Sequence, residues 1–222
     1  MLSCGQVGKS YATGRGAVDA VRAIDLDVPR GEHVAIVGHS GSGKSSLLAM
    51  IGGLSRPTRG TVHLDGVDIW ALPDDRLAQL RSREIGFVFQ FASLLPTLRV
   101  IDNVALPALL GRVRDADHAY GEATELLTRV GLADRIEAYP AEISAGEQRR
   151  AVIARALINA PALLLADEPT SDLDEDTERL IMEQLRGANR ERAMTLIMVT
   201  HNLRLAEEAD RVVHIGDGRL LA

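Results

Sequence analysis

The sequence is short of cysteine, lysine and aromatic residues, and it has no long apolar run. Cys4 is the single cysteine in 222 residues. One thiol closes no disulfide within the chain and builds no cysteine metal site, which fits a reducing compartment. Leu2-Ser3-Cys4-Gly5 has the outline of a lipoprotein cleavage box, but no charged and apolar leader precedes it, so that reading is rejected. Apolar runs such as Ala162 to Ala166 fall far short of the roughly 18 residues needed to cross a bilayer. No direct membrane insertion is therefore expected; at a membrane, another chain would have to hold this one. Aromatic residues make up 3% of the chain, too few for base-stacking platforms. The net charge of -6 also argues against a general nucleic-acid binder. Lys9 and Lys44 are the only lysines, and the excess of arginine reads mainly as a bias of the source genome. Even so, Lys44 stands where the local chemistry requires a lysine.

What is present is the composition of an ordinary globular protein, 46% hydrophobic and 25% charged. The length suits one domain with a subdomain and a sizeable buried core. No internal repeat or low-complexity segment is visible. Short runs rich in Val, Ile and Leu predict strands over 34–37, 61–64, 85–89, 163–166, 195–199 and 212–215. Those at 34, 163 and 195 are continuously apolar, as in central strands covered on both faces. Helical stretches fall between them, over 45–52, 74–83, 115–130, 146–159, 176–192 and 203–208. This alternation predicts an α/β fold with a mostly parallel sheet. The first 30 residues lack helix signals and predict a small antiparallel β region. Residues 91–159 show mostly helical periodicity and are read as a helical subdomain. It would be inserted into one domain whose core is 1–90 and 160–222.

Gly38-His39-Ser40-Gly41-Ser42-Gly43-Lys44-Ser45 directly follows the strand Val34 to Val37 and opens a helical run, the context a phosphate loop needs. The glycines let backbone N–H groups face phosphate oxygens, the helix N-terminus adds positive potential, and Lys44 reaches the β and γ oxygens. The Ser45 hydroxyl would ligate Mg²⁺, and Ser46 completes the stretch that holds the nucleotide. This loop predicts ATP as the bound nucleotide. Gly5 to Ser10 also ends in Gly-Lys-Ser, but only two residues separate its glycines where four are needed. That loop cannot wrap a phosphate, so Lys9 is assigned to the surface.

Leu163 to Ala166 ends in Asp167-Glu168, an apolar strand delivering two carboxylates. With a phosphate loop upstream, Asp167 is read as holding the Mg²⁺ shell and Glu168 as the general base for the attacking water. Ser144-Ala145-Gly146-Glu147 opens a helix. It reads both as an N-terminal capping box and as a second phosphate-binding surface. Which phosphate it meets does not follow from the residues. His201 follows the strand 195–199, at the sheet edge where the loop and the acid pair also emerge and where α/β ligands bind.

The order of these motifs resembles the ATP-binding-cassette (ABC) ATPase family: phosphate loop, Gln90, Ser144-Ala145-Gly146-Glu147-Gln148, Asp167-Glu168, Ser171 to Asp174, then His201. The resemblance covers nearly the whole chain. It implies a phosphate-loop NTPase core and further roles by position. Tyr11 would stack on adenine. Gln90 would sense Mg²⁺ and the γ-phosphate, and His201 would contact the γ-phosphate. Ser144, Gly146 and Glu147 would act on nucleotide held by a second ATPase subunit in a head-to-tail dimer, and Ser171 to Asp174 would cross the same interface. The family signature usually has Gly where Ala145 stands. If that position needs a positive φ, the strain is about 1 kcal/mol or more and ATP-driven dimerisation is weakened.

Phe89 to Leu98 with Asp102-Asn103-Val104 looks like the lipoprotein-release and macrolide-exporter group of bacterial ABC systems. The resemblance implies a separate transmembrane permease and a cytoplasmic location, peripheral on the inner face of the cell membrane. Leu94, Leu95 and Leu98 are either the apolar surface that receives the permease or packing within the helical subdomain. A cell-division-type ABC ATPase, driving a membrane partner that transports nothing, stays open as an alternative. A DNA-repair type would need a coiled coil between Ser45 and Ser144, where there is no room. A translation type would need two cassettes. A nucleotide-binding regulator would lack the base, and Glu168 is present. The chain ends soon after the last predicted strand, so no C-terminal regulatory domain is expected, and substrate identity is assigned to the permease.

Overall fold

A computed structural model of the chain describes residues 1–14, 16–91, 93–111, 115–171 and 173–221. In chain order its strands are β1 (Leu2–Thr13), β2 (Gly16–Val28), β3 (His33–Val37), β4 (Arg59–Leu64), β5 (Val67–Asp68), β6 (Ile85–Val88), β7 (Leu163–Asp167), β8 (Thr195–Val199), β9 (Arg211–Gly216) and β10 (Arg219–Leu220). The helices are α1 (Lys44–Ile51), α2 (Asp74–Glu84), α3 (Val100–Leu110), α4 (Ala116–Arg129), α5 (Ala145–Leu157), α6 (Glu175–Arg192) and α7 (Leu203–Ala206).

The apolar strands make a six-stranded sheet in the order β10-β9-β3-β8-β7-β6. Every neighbour pair in it is parallel except β10 with β9. The continuous runs are explained by a core on each face. Ala35, Val37, Leu164, Ala166, Leu196 and Met198 join one cluster with α3, α4 and α5. The alternate residues Val34, Ile36, Leu163, Leu165, Ile197 and Val199 join a second cluster with α1 and the hairpin. Side chains alternate across a strand, so a strand sandwiched between two cores must be apolar at every position.

The helix-free N-terminal stretch folds as the β1–β2 hairpin, in a second sheet ordered β2-β1-β4-β5 whose pairs are all antiparallel. In β2 the residues Val21, Ile24, Leu26 and Val28 are buried and those between are exposed, the period of a sheet with one wet face. The strand predicted at 61–64 begins two residues earlier and belongs to this sheet. Between 91 and 159 the described residues contain α3, α4, α5 and short 3-10 turns, with no strand. Two corrections concern helices. The one predicted over 203–208 ends at Ala206. The general helical pattern after residue 91 hid α3, whose sequence is apolar on most sides and carries Pro107 inside it.

Candidate phosphate-loop ATPase site

Strand register brings the chemistry-bearing residues to one edge. Ile36 lies level with Val199, Val199 with Asp167, and Ala166 with Val88. Hence β3, β8, β7 and β6 finish together at their C-terminal ends. The residues that follow each strand enter the same edge: Gly38 after β3, His201 after β8, Glu168 after β7, and Gln90 after β6.

The phosphate loop wraps around Lys44, which is 8% exposed. Its Nζ donates to the carbonyls of Gly38 and His39 at 2.8 and 3.0 Å, so the charge is held inside the loop. α1 starts from Gly43, at φ 103°, with no side-chain cap. Its first-turn amides are thus left for an anion, and the helix end adds positive potential there. Close approach fixes two glycines. A Cβ on Gly38 would sit 2.1 Å from the Ile215 carbonyl oxygen, and one on Gly43 would sit 2.2 Å from that of Ala20. Ser40, Gly41 and Ser45 are exposed, and Ser46 is half-buried. Ser42 is buried, and its Oγ has no hydrogen-bond partner among the described residues. His39 is exposed, with Nδ1 2.8 Å from the Ser40 carbonyl and Nε2 3.7 Å from Asp217. Tyr11 is 42% exposed on β1, and its hydroxyl lies 3.4 Å from Ser46 Oγ. The second Gly-Lys-Ser is part of β1, where Lys9 donates to the Arg56 carbonyl at 2.6 Å.

The two carboxylates differ in environment. Asp167 closes β7, and burial raises its pKa. The Ser45 hydrogen bond lowers it, the Glu168 charge raises it again, and Lys44 opposes that. Glu168 leaves the strand with φ 48°, a left-handed conformation costing of order 1–3 kcal/mol for a side-chain-bearing residue. A backbone bond from its N–H to the Val199 carbonyl, 2.9 Å, anchors the turn. Its side chain is 14% exposed, with Oε1 2.9 Å from Nδ1 of His201, whose side chain is 74% exposed. The pair joins the ends of β7 and β8. A carboxylate in this position can accept a proton from a water on its open side. No cluster of three or more His, Cys, Asp or Glu suited to a metal occurs among the described residues. A cation here would rest on Ser45, the Asp167 side and phosphate oxygens, the sparse protein ligation that suits Mg²⁺.

Gln90 begins a loop at this edge. Its exposed side chain forms no hydrogen bond among the described residues, and its carbonyl accepts one from Arg149. Ser144, Gly146 and Glu147 are not brought to the phosphate loop of their own chain. Ser144 caps α5 by accepting from Glu147 N at 3.2 Å, while Glu147 accepts from Ser144 N at 2.7 Å and from Arg135. That cap, led by the Ser144 backbone, holds the Glu147 carboxyl below the usual range. Ala145 overturns one expectation. It is the first residue of α5 with helical backbone and is exposed, so no positive-φ strain arises from its Cβ. Asp174 caps α6, and Ser171 Oγ is buried without a partner among the described residues; Asp172 lies outside them. Leu94 packs in the core, Leu95 is 45% exposed and Leu98 is half-buried, so this trio is not one surface.

Sequence reasoning missed Arg149. It shares the buried helical phase of Val152, Ile153 and Ala156, and a charge at that phase was the available signal. It also gave no role to Asn103, which is fully buried and bonds the backbone at Leu95 and Leu98.

A mostly parallel sheet with a phosphate loop, a strand-end acid pair and a histidine beside the second carboxylate defines a phosphate-loop ATPase. The family model described as ABC transporter matches residues 21–171. The chain is 46% identical to a lipoprotein-releasing system ATP-binding protein LolD of Geobacter metallireducens, across all of this chain and 98% of the relative. It is 44% identical to the uncharacterized ABC transporter ATP-binding protein YknY of Bacillus subtilis, across all of this chain and 95% of that one. The solved dimeric structure of the ATP-binding cassette MJ0796 in a post-hydrolysis state, bound to ADP and Pi, superposes with a TM-score of 0.94. It is 36% identical and covers all of this chain and 97% of its own. The chain belongs to the ABC transporter family, and it is an ATP-binding, ATP-hydrolysing cassette.

Proposed function

We propose that the chain is the ATPase subunit of a lipoprotein-release-type system, working as a head-to-tail pair beneath a separate transmembrane permease on the cytoplasmic face of the cell membrane. No described helix is long and apolar enough to cross a membrane, so attachment falls to the partner. The observation that carries this reading is an open groove of about 410 Å³ beside the Gln90 loop. Phe87 and Phe89 stack in it with centroids 5.4 Å apart, Leu106 and Pro107 line it, and Leu110 stands 75% exposed at its lip. A short apolar helix from the permease fits such a trough, with Arg81 and Arg155 at the rim for its polar end. Residues 91–159 are in this reading the helical subdomain that carries one wall of the groove.

In the site, Gly38 to Ser46 hold the phosphates, Tyr11 meets the adenine, and Lys44 neutralises the β and γ oxygens. Ser45, Gln90 and Asp167 hold Mg²⁺, which supplies charge neutralisation when bound. Glu168 takes the proton of the attacking water, and His201 orients Glu168 and faces the γ-phosphate. Ser144, Gly146 and Glu147 from a second copy complete the phosphate shell. The similarity to a cassette solved as a dimer supports the pairing.

The test is co-purification with a co-expressed lipoprotein-release-type permease, comparing the parent with Leu110→Glu. The proposal expects the variant to lose the permease while its ATP affinity stays at the parent value. Undiminished co-purification of Leu110→Glu would remove the groove as the docking site.

A further inference from the structure

The loop leaving β6 is held mainly through its backbone by side chains of two helices, α5 and α3. Arg149 on α5 is 6% exposed. Its Nη1 donates to the Phe89 carbonyl at 2.6 Å, and its Nη2 donates to the Gln90 carbonyl. Further along α5, Arg155 donates to the Ser93 carbonyl at 2.7 Å and to Ser93 Oγ at 2.6 Å. From the other side, Asn103 on α3 accepts from Leu95 N at 2.6 Å and donates to the Leu95 and Leu98 carbonyls. Bonds from a guanidinium to carbonyls are about twice as strong as neutral ones. A guanidinium presents its donors in one rigid fork, so two consecutive carbonyls are fixed together.

The same helix begins at the Ser144 cap, five residues before Arg149. Five residues span about 7.5 Å of helix, too short a distance for the two to move independently. Arg149 thus ties the Gln90 backbone to the helix whose N-terminus carries the Ser144 cap.

We propose that Arg149 is a positioning residue that locks the Gln90 loop onto α5 and so holds the Gln90 side chain where it meets the γ-phosphate. Arg155 secures the far end of the same loop. This rests on the reading of Gln90 as a γ-phosphate contact. Arg149 itself touches no substrate; it acts through Gln90.

A double-mutant cycle in the full chain separates this from a merely structural role. The variants are Arg149→Met, Gln90→Ala and the combination, with Arg149→Lys as the conservative partner. The readouts are kcat and KM for ATP, affinity for a fluorescent ATP analogue, and the melting temperature. Displacing a contact by about 1 Å costs up to about a hundredfold, so Arg149→Met should lower kcat by tenfold to about a hundredfold. KM and analogue affinity should stay within about threefold of the parent, because the phosphate loop is untouched. Arg149→Lys, which keeps a donor, should recover part of kcat. The combined variant should fall no further than the worse single one, because both remove the same contact. Multiplied losses in the combination, or a parent-like kcat in Arg149→Met, would overturn the proposal. A parent-like kcat in Gln90→Ala would instead overturn the reading of Gln90 on which it rests.

Discussion

Replacing Gly38 by alanine tests the phosphate loop through geometry alone. The added Cβ would lie 2.1 Å from the Ile215 carbonyl oxygen and 2.8 Å from Ser42 Oγ. An ordinary carbon–oxygen contact is about 3.3 Å, so the loop has to shift by about 1 Å. Ile215 is in β9, paired to β3 within the sheet, so the loop yields rather than the strand. A shift of that size at a reacting phosphate costs about a hundredfold in kcat, or about 2.7 kcal/mol of barrier. Gly41 provides the contrast. A Cβ there meets nothing within 4 Å, but its φ is +77°. Gly41→Ala therefore meets only the left-handed backbone cost of about 1–2 kcal/mol, and a free loop that relaxes out of that conformation meets it again on binding, at most about tenfold in ATP affinity. Phosphate release and binding of a fluorescent ATP analogue, read on both variants beside the parent, measure the two effects. If Gly38→Ala hydrolyses ATP at the parent rate, the close approach of the loop to β9 does not shape the site.

Two further predictions follow from local chemistry. Burial raises the Asp167 pKa, so in the folded chain it binds its proton more tightly than in the unfolded one. Its ionised form then costs stability above the folded pKa, and the cost vanishes as pH falls to the ordinary value of about 4. Asp167→Asn should thus melt higher than the parent at pH 8 without nucleotide, with the gap closing as pH falls, while it binds Mg²⁺-ATP more weakly; thermal melts across pH, with and without nucleotide, check both signs. Ala145→Gly should lower the melting temperature slightly and leave dimerisation no stronger, because Ala145 is helical and glycine costs up to about 1 kcal/mol in a helix; light scattering with Mg²⁺-ATP reads the second half.

The central sheet was legible because burial on both faces leaves no polar position in strands such as Leu163 to Ala166. The Ser144 to Glu147 cap was legible for a similar local reason, since both its partners lie within one turn. Two-residue strands such as β5 and β10 carry no period and were invisible. The strain argument at Ala145 failed because backbone φ depends on where the helix begins, which spacing leaves uncertain by a residue or two. Leu94, Leu95 and Leu98 look alike in sequence, yet the first is in the core and the second on the surface. Arg149 and Asn103 escaped because their partners are backbone groups, distant in the chain for Arg149 and nearby for Asn103, which have no residue identity to read. The approach of His201 to Glu168 likewise depends on the β7–β8 register and not on any motif.

Phosphate release by Glu168→Gln tests the account most directly. Gln keeps the shape of the side chain and removes its capacity to accept a proton. General-base removal costs about a hundredfold to ten-thousandfold. The variant should bind ATP as the parent does and release phosphate at least about a hundredfold more slowly. Turnover at the parent rate would show that Glu168, for all its closeness to His201, does not activate the water.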